Sequence, residues 1–452
     1  MWGIYILCGG YMSLTLNEKI YGLSLIWKEA EYNSPFWKRL PDLDWDAEYQ
    51  KALQRVIEIE DIREYYLELM KFIYLLKDAH TDVFMPERVK ENIGFYLFHL
   101  KYIDGNHYID YIDRKYNIKP YSKIIKINDI EINKYIETEL LPYCWHEKLE
   151  SIYNHFNFLI CWLENGKDLK IETENEIFIA ERVFYDHNNP PNYTGGFYPE
   201  CNDEFTKEIF SSNSHVIKST DDNIIYIKLP NFSNYDLLEQ FAANIDKIND
   251  CRGFIIDLRD NGGGGTDIAF PIAQYFFNES IPNYAKDRKM IHIGTYKAYG
   301  QWCKGDEELR NNVDEKTYDI CKRQYFEEQY FSFNKDDNSI YLNQPVVILT
   351  NENTMSAAED FLILFKNRRA MIIGTNSFGS TGMGIYHTLP GGGSFRICTR
   401  WCAYANDEEY LNIGIEPDIY AHLSLDDYLN FNDSVLRKGL GILREDLSNS
   451  TR

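Results

Sequence analysis

The chain has 452 residues, 44% of them hydrophobic and 15% aromatic, which is more than one core usually serves and predicts two or three domains. Its 47 Lys and Arg against 70 Asp and Glu leave a formal net charge of −23, which excludes the basic face of a nucleic-acid binder and mainly supports solubility. The nine cysteines include no CxxC pair and form no disulfide framework, which fits reduced thiols and a cytoplasmic setting. Cys398 and Cys402, the nearest pair, read as one strand and lie too far apart along it to bridge.

Met1 to Tyr11 is short and apolar but lacks a basic n-region, so it reads as neither a signal peptide nor a span, and Met12 is an alternative start. No other stretch reads as a membrane span. Residues 12–90 are expected to form a helical domain. Ile62, Tyr66, Leu69, Ile73 and Leu76 recur at spacings of three and four, one face of an amphipathic helix. That helix runs into Lys77-Asp78-Ala79-His80-Thr81-Asp82. His80 there can be a general base or a plain capping histidine.

Residues 91–185 change character. Alternating runs at 108–112 and 123–128 are broken by Asp104-Gly105-Asn106 and Asn128-Asp129. Residues 169–173 and 176–180 read as a hairpin around Glu174-Asn175, and a helix is expected near 147–163. The size is that of a PDZ-like β module. Residues 186–220, rich in Asn, Pro, Gly and Ser, read as a linker or long loop.

The pattern then becomes strand and helix in alternation over 221–430. Residues 224–229 read as a strand, and Leu238, Phe241, Ile245 and Ile248 mark a helix face. Gly253-Phe254-Ile255-Ile256-Asp257-Leu258 is a buried strand that runs into Arg259-Asp260-Asn261-Gly262-Gly263-Gly264-Gly265. Such a glycine run lets backbone N–H groups approach a ligand. A phosphate loop lacks its Lys-Ser/Thr here, so an oxyanion hole or a plain tight turn remains, with Asp257 and Arg259 as a supporting ion pair. Residues 281–342 form a polar, aromatic-rich insertion. Val346 to Leu349 is a second buried strand, and a helix starts at Ser356-Ala357-Ala358-Glu359. Ser356 thus lies at a strand-to-helix turn, where the N–H of Ala357 can stabilise an oxyanion. The same stretch can equally be an N-cap with Glu359 completing a capping box. A third strand at Met371-Ile372-Ile373 precedes a second glycine-rich loop, 374–384.

Four of these elements, in this order, resemble the tail-specific (C-terminal processing) serine peptidases and the tricorn core protease. Gly253 to Gly264 resembles the family's "DLRxNxGG" element, and Thr354-Met355-Ser356-Ala357-Ala358-Glu359 its nucleophile motif. Gly374-Thr375-Asn376-Ser377-Phe378-Gly379 resembles its later glycine loop, and Gly414-Ile415-Glu416-Pro417-Asp418 its terminal "GxxPD". Asp78-Ala79-His80-Thr81 resembles the "DGHT" of the tricorn-like branch. The resemblance implies an α/β, crotonase-like catalytic core behind a helical domain and a PDZ-like module, with Ser356 as nucleophile. It departs from the Ser–Lys branch, whose lysine position holds Ser380 or Thr381 here, so the implied base is His80. The branch's glutamate position is occupied by Leu411, which leaves Glu359, Glu408, Glu409 and Glu416 as candidates for a third member.

The implied activity is peptide-bond hydrolysis by acyl transfer on a peptide, an unfolded protein or a protein tail. Backbone N–H groups of Ala357 and of one of Gly262, Gly263 and Gly264 would hold the oxyanion. No metal or organic cofactor and no nucleic acid is implied, and an oligomer is compatible. Two other readings stay open: a catalytically lapsed member that binds a peptide or apolar ligand, and a crotonase-like acyl-CoA enzyme.

Overall fold

The computed structural model describes residues 13–449 except 92, 146–147, 165–166, 185, 187–189, 197, 200, 292–310, 312–325 and 337–338. The segment Met1 to Tyr11, the alternative start Met12 and much of the 281–342 insertion therefore lie outside the described residues.

Three helices open the chain, Leu16–Asn33, Trp45–Glu58 and Ile62–Ile73. Each start is fixed by a side chain that takes an otherwise orphaned N–H: Thr15 for Glu18, Asp44 for Ala47 and Asp61 for Glu64. The third helix buries Tyr66, Leu69 and Ile73 on its expected face, and Tyr65, Met70 and Phe72 as well. It tightens into a single turn at Tyr74–Leu76, and Lys77 adopts a left-handed conformation that ends it. The chain then becomes a short strand, Asp82–Phe84. This strand pairs antiparallel with Ser394–Cys398, Val83 opposite Phe395, in a three-stranded sheet completed by Gly384–Thr388. Phe395 and Ile397 join Leu23, Ile26 and Leu69 in one apolar cluster. The N-terminal helices are thus anchored to a hairpin more than 300 residues further on.

Next come two small sheets. One has the strand order Tyr193–Gly195, Asn106–Asp113, Phe98–Ile103. Its hairpin turns at Asp104 and Gly105, both at positive φ, as a two-residue turn of this hand requires. The other joins Ile130–Glu131, Ile124–Ile127, Leu169–Thr173 and Ile177–Ala180. The helix Leu149–Leu163 packs over Phe98–Ile103, its Ile152, Phe156 and Leu159 buried in a common core with Leu100, Ile109 and Ile127.

The main sheet has seven strands in the order Lys207–Ser211, Val216–Ser219, Ile224–Lys228, Gly253–Asp257, Val346–Thr350, Ala370–Gly374, Ile419–Tyr420. The last five are mutually parallel. Gly253–Asp257 and Val346–Thr350 are buried at every residue, as continuous apolar runs of a covered parallel sheet should be. The helix Ala357–Phe365, buried at all nine residues, packs against Thr266–Ala273 on one face. Gly253–Asp257 and Val346–Thr350 also meet the last helix, Ser434–Asn449, which buries Leu436, Leu440 and Leu443 with Ile255, Val347 and Leu349. Burying a Leu, Ile or Phe side chain contributes about 1.5–3 kcal/mol, so this sandwich is where the core's stability concentrates.

Two sequence expectations are corrected, and the insertion, which carried no assigned structure, is filled in part. Residues 207–219 are not linker but two antiparallel edge strands of the main sheet, held there by buried Ile217. Surrounding Ser and Asn masked a pattern only four residues long. The insertion supplies two strands, Ile281–Met290 and Phe326–Phe333, paired with each other and with Trp401–Tyr404. Cys398 and Cys402 lie on different strands, Ser394–Cys398 and Trp401–Tyr404, and both thiols are free. Among the described residues, no helix is long and apolar enough to cross a membrane.

Candidate active site

Parallel neighbours end their strands at one sheet edge, so Gly253–Asp257 and Val346–Thr350 deliver their following loops side by side. The two loops are laced together. Thr354 Oγ1 donates to the Leu258 carbonyl at 2.9 Å, and the Met355 N–H to the Asn261 carbonyl at 2.9 Å. Asn351 and Asn353 both donate to Asp260 Oδ1 at 2.9 Å.

Ser356 closes the second loop with φ 59° and ψ −124°, a conformation a non-glycine residue rarely adopts and one that costs on the order of 1–3 kcal/mol. Its N–H is shared between the Ser380 carbonyl at 2.9 Å and Glu359 Oε2 at 3.2 Å. Glu359 thereby completes the expected capping box from its own side. The hydroxyl instead faces His80, with Oγ 3.1 Å from Nε2. Gly263, at φ 92°, fits only without a side chain, since a Cβ there would lie 2.6 Å from Ser356 Cβ and 2.9 Å from Ala357 N.

His80 reaches this point because the Asp82–Phe84 strand fixes the segment before it. The His80 N–H donates to Asp78 Oδ1 at 3.2 Å, Thr81 Oγ1 accepts from the Cys398 N–H at 3.0 Å, and the Ala79 carbonyl accepts from Arg396 at 3.2 Å. The other ring nitrogen, Nδ1, lies 2.6 Å from Ser380 Oγ. Burial, with the positive charge of Arg396 and then Arg400, pushes the imidazole down to about 3, so it is neutral near pH 7.

The four carboxylates named from sequence sit elsewhere. Glu359 is fully buried and does not touch His80. Its Oε1 accepts from Ser377 Oγ at 2.5 Å and the Gly379 N–H at 2.7 Å, and its Oε2 from the N–H groups of Ser380 and Ser356. Burial raises this carboxyl to about 7 against those four donors. Glu359 therefore ties the serine turn to the later glycine loop and meets the imidazole only through the two serines, Ser356 and Ser380. Glu416 is exposed, its carbonyl held by Lys366 at 2.8 Å, and it contacts neither Ser356 nor His80. Glu409 pairs with Arg39 at 3.4 Å, and the Glu408 N–H donates to Asn406 Oδ1 at 3.2 Å. Leu411 is a buried core residue.

Among the glycines, Gly263 already donates its N–H to Asn261 Oδ1 at 2.9 Å and so drops out as an oxyanion donor. Among the described residues, the N–H groups of Gly262, Gly264 and Ala357 engage no partner, and Ala357 stands at the first position of its helix. Gly262, Gly264, Ser356, His80 and Arg396 all line one cavity of about 570 Å³.

Asp257 and Arg259 form an ion pair, at 2.7 Å. Sequence reasoning missed its third member, Asp433, which accepts two bonds from the Arg259 guanidinium at 2.9 and 2.7 Å. Burial alone would raise Asp257, but Arg259 and Lys228 hold it well below the usual carboxylate range. Ser380 was also missed as a partner of His80. Its only signal was its place in the glycine loop, where a related branch keeps lysine.

Residues 223–421 match the family model described as Peptidase family S41. The Carboxy-terminal-processing protease of Bartonella bacilliformis is 26% identical over 217 residues, a match covering 48% of this chain and 36% of that protein. The chain thus spans about a third of the length of the curated relative it matches. Mature CPAF superposes with a TM-score of 0.70 over 96% of this chain and 98% of the other, at 16% identity. The complex of mature CPAF with lactacystin does so with a TM-score of 0.65 over 96% and 97%, also at 16% identity. These structures share the fold. The sequence similarity to Peptidase family S41 thus lies in the 223–421 core.

Proposed function

We propose that the chain is a serine peptidase that cuts peptides or protein C-terminal tails by acyl transfer. The observation that carries this reading is the 3.1 Å contact between Ser356 Oγ and His80 Nε2 at a cavity lined by unpartnered backbone N–H groups. Ser356 Oγ attacks the scissile carbonyl while His80 Nε2 takes its proton, with Nδ1–H donating to Ser380 Oγ. The oxyanion is held by the Ala357 N–H and that of Gly262 or Gly264. His80 then gives its proton to the leaving amine. Water, deprotonated by the same nitrogen, attacks the acyl ester, releases the new carboxylate and restores Ser356.

Glu359 and the Asp257–Arg259–Asp433 cluster act as positioning groups in this scheme. The parallel sheet with its two loops at one edge supports a crotonase-like core over about 221–430. The module over 91–185 has the size and strand content of a PDZ-like domain that offers or gates substrate, and 12–90 forms a helical domain that brings in His80. The test is labelling by a fluorophosphonate, read beside peptide hydrolysis, in wild type and Ser356→Ala. Wild type should label and cut, and Ser356→Ala should do neither with a nearly unchanged Tm. An unlabelled wild type that still binds peptide would instead make the chain a lapsed member acting as a binding protein.

A further inference from the structure

One wall of the Ser356 cavity belongs to the hairpin Gly384–Thr388 and Ser394–Cys398. His80, neutral near pH 7, Tyr386 and Arg396 are the titratable side chains lining that cavity, and Arg396 is the cation among them. Arg396 is seated rather than loose. Its stem lies across Gly384, where a Cβ would come within 2.4 Å of Cγ and 2.5 Å of Cδ. Its guanidinium carbon lies 5.8 and 5.9 Å from the ring centroids of Phe84 and Tyr386. Nη1 donates to Tyr386 Oη at 3.3 Å and Nη2 to the Ala79 carbonyl at 3.2 Å, one residue before His80.

This cation has no counter-charge in contact. Asp78 and Asp82 feel its charge, but neither is in ion-pair contact with it, and Asp82 Oδ1, opposite it in the strand register, accepts from the Tyr74 hydroxyl and from the Val83 N–H at 2.7 Å. Among the described residues, Arg396 makes no ion pair, in a chain with 70 acidic residues. A guanidinium carries five N–H donors in a planar fork. Two are used and Nε is buried without a partner, which leaves one on each terminal nitrogen, the pair that fits the two oxygens of a carboxylate.

Building on the peptidase reading, we propose that Arg396 is a specificity-determining residue that receives a carboxylate of the substrate, either an Asp or Glu side chain near the scissile bond or the C-terminal carboxylate of the tail. The arrangement has a catalytic corollary. Arg396 is one of the charges that hold His80 down, so a carboxylate seated on it relieves that field and makes Nε2 a better base just when substrate is present.

The test uses N-acetylated alanine hexapeptides in two matched pairs. One pair carries Glu or Gln at a central position with the C-terminus amidated. The other is all-alanine with a free or an amidated C-terminus. Wild type should favour the acid member of at least one pair by roughly 10–100-fold in kcat/KM, the range of a charge-assisted bidentate contact. The responsive pair tells side chain from terminus. Arg396→Gln should bring that ratio close to one, and Arg396→Lys should keep part of it. The acid limb of the wild-type pH profile should also lie higher for the acid peptide than for its neutral partner. No preference in wild type, or an undiminished ratio in Arg396→Gln, would overturn the proposal. If wild type neither labels nor cuts, the peptidase reading fails separately. Calorimetry of the same peptides on Ser356→Ala then decides: tighter binding of an acid member, lost in Arg396→Gln in that background, upholds the carboxylate seat, and equal Kd values overturn it.

Discussion

The serine and the histidine of the candidate site are held in opposite ways. Ser356 is over-determined from nearby: its turn is fixed by Thr354, Met355 and Asn351 on one side and by the four-donor carboxylate of Glu359 on the other. All of these groups sit on the loop and the helix that follow one parallel strand of the main sheet. His80 arrives from a separate helical unit in the turn before a three-residue strand, and its ring is held by two hydroxyls, those of Ser356 and Ser380. Strain at Ser356 is affordable because so many bonds oppose its release. The histidine needs no strain, but its placement depends on how the helices dock on the Ser394–Cys398 hairpin. The difference teaches that in this fold the placement of the serine is a property of the sheet, whereas that of the histidine is a property of domain packing.

The largest effect should come from removing the proposed base. His80→Ala should lower kcat/KM by roughly 10²–10⁴-fold while Ser356 keeps its backbone geometry, as stopped peptide assays and an unchanged crystal structure of the turn would show. A loss under threefold would mean that another group takes the proton. A second effect of the same variant has a sign fixed by burial. The ring's proton affinity is depressed from 6.5 to about 3, so above pH 6.5 it is neutral in both folded and unfolded chains and contributes nothing. Below 6.5 the unfolded chain gains a proton that the folded ring refuses, and stability falls with pH down to about 3. Tm measured at pH 7 and pH 5 should therefore drop less in His80→Ala than in wild type, the gap being about 2 kcal/mol at pH 5. An equal drop in both proteins would show that the ring is not held neutral.

How much of this contrast could be read from the residues follows from where each signal lives. Val346 to Leu349 and Gly253 to Leu258 are apolar runs bounded by polar residues, so strand, turn and helix at Ser356 could be read locally. The expectation that His80 comes within reach of Ser356 rested on a short resemblance. The 3.1 Å contact depends on pairing Val83 with Phe395, which no periodicity encodes. Hydroxyl and carboxylate partners were harder still. Ser380 on Nδ1, Asp433 on Arg259 and the role of Glu359 as a backbone receptor are single side-chain contacts, two of them across 174 or more residues. Residues 207–219 were misread because two short strands with one fully buried Ile look like loop when Ser and Asn surround them.

The sheet-borne side of the comparison can be attacked through Glu359. In Glu359→Gln one of two acceptor oxygens becomes an NH₂ that faces N–H groups of Ser380 and Ser356 or of Gly379, leaving buried donors unmatched. Unfolding should become easier by about 1–3 kcal/mol, read by chemical denaturation. Activity should fall with it, because the Ser356 turn and the Ser380 loop are no longer tied to one group. Unchanged stability together with unchanged activity would mean that the four donors find other partners, and that the turn is less constrained than its bonds suggest.

The smallest expected effect lies on the histidine side, at Ser380. In a Ser-His-Asp arrangement the third group is an anion, and losing it removes both ring orientation and stabilisation of the imidazolium. Here the group at Nδ1 is a neutral hydroxyl 2.6 Å away, and the buried Glu359 carboxyl bonds the Ser380 N–H rather than its Oγ. Ser380→Ala therefore removes one hydrogen bond worth about 1 kcal/mol, and kcat should fall only about fivefold with KM little changed. The Ser380 N–H stays bonded to Glu359 in the variant, so the turn at Ser356 is undisturbed and the measured loss reports ring orientation alone. A loss of 10³-fold or more would show that Ser380 does more than orient, acting as a relay to the Glu359 carboxyl. In that case activity should also follow the titration of Glu359 near pH 7, rising as that carboxyl ionises, and that dependence should vanish in Glu359→Gln.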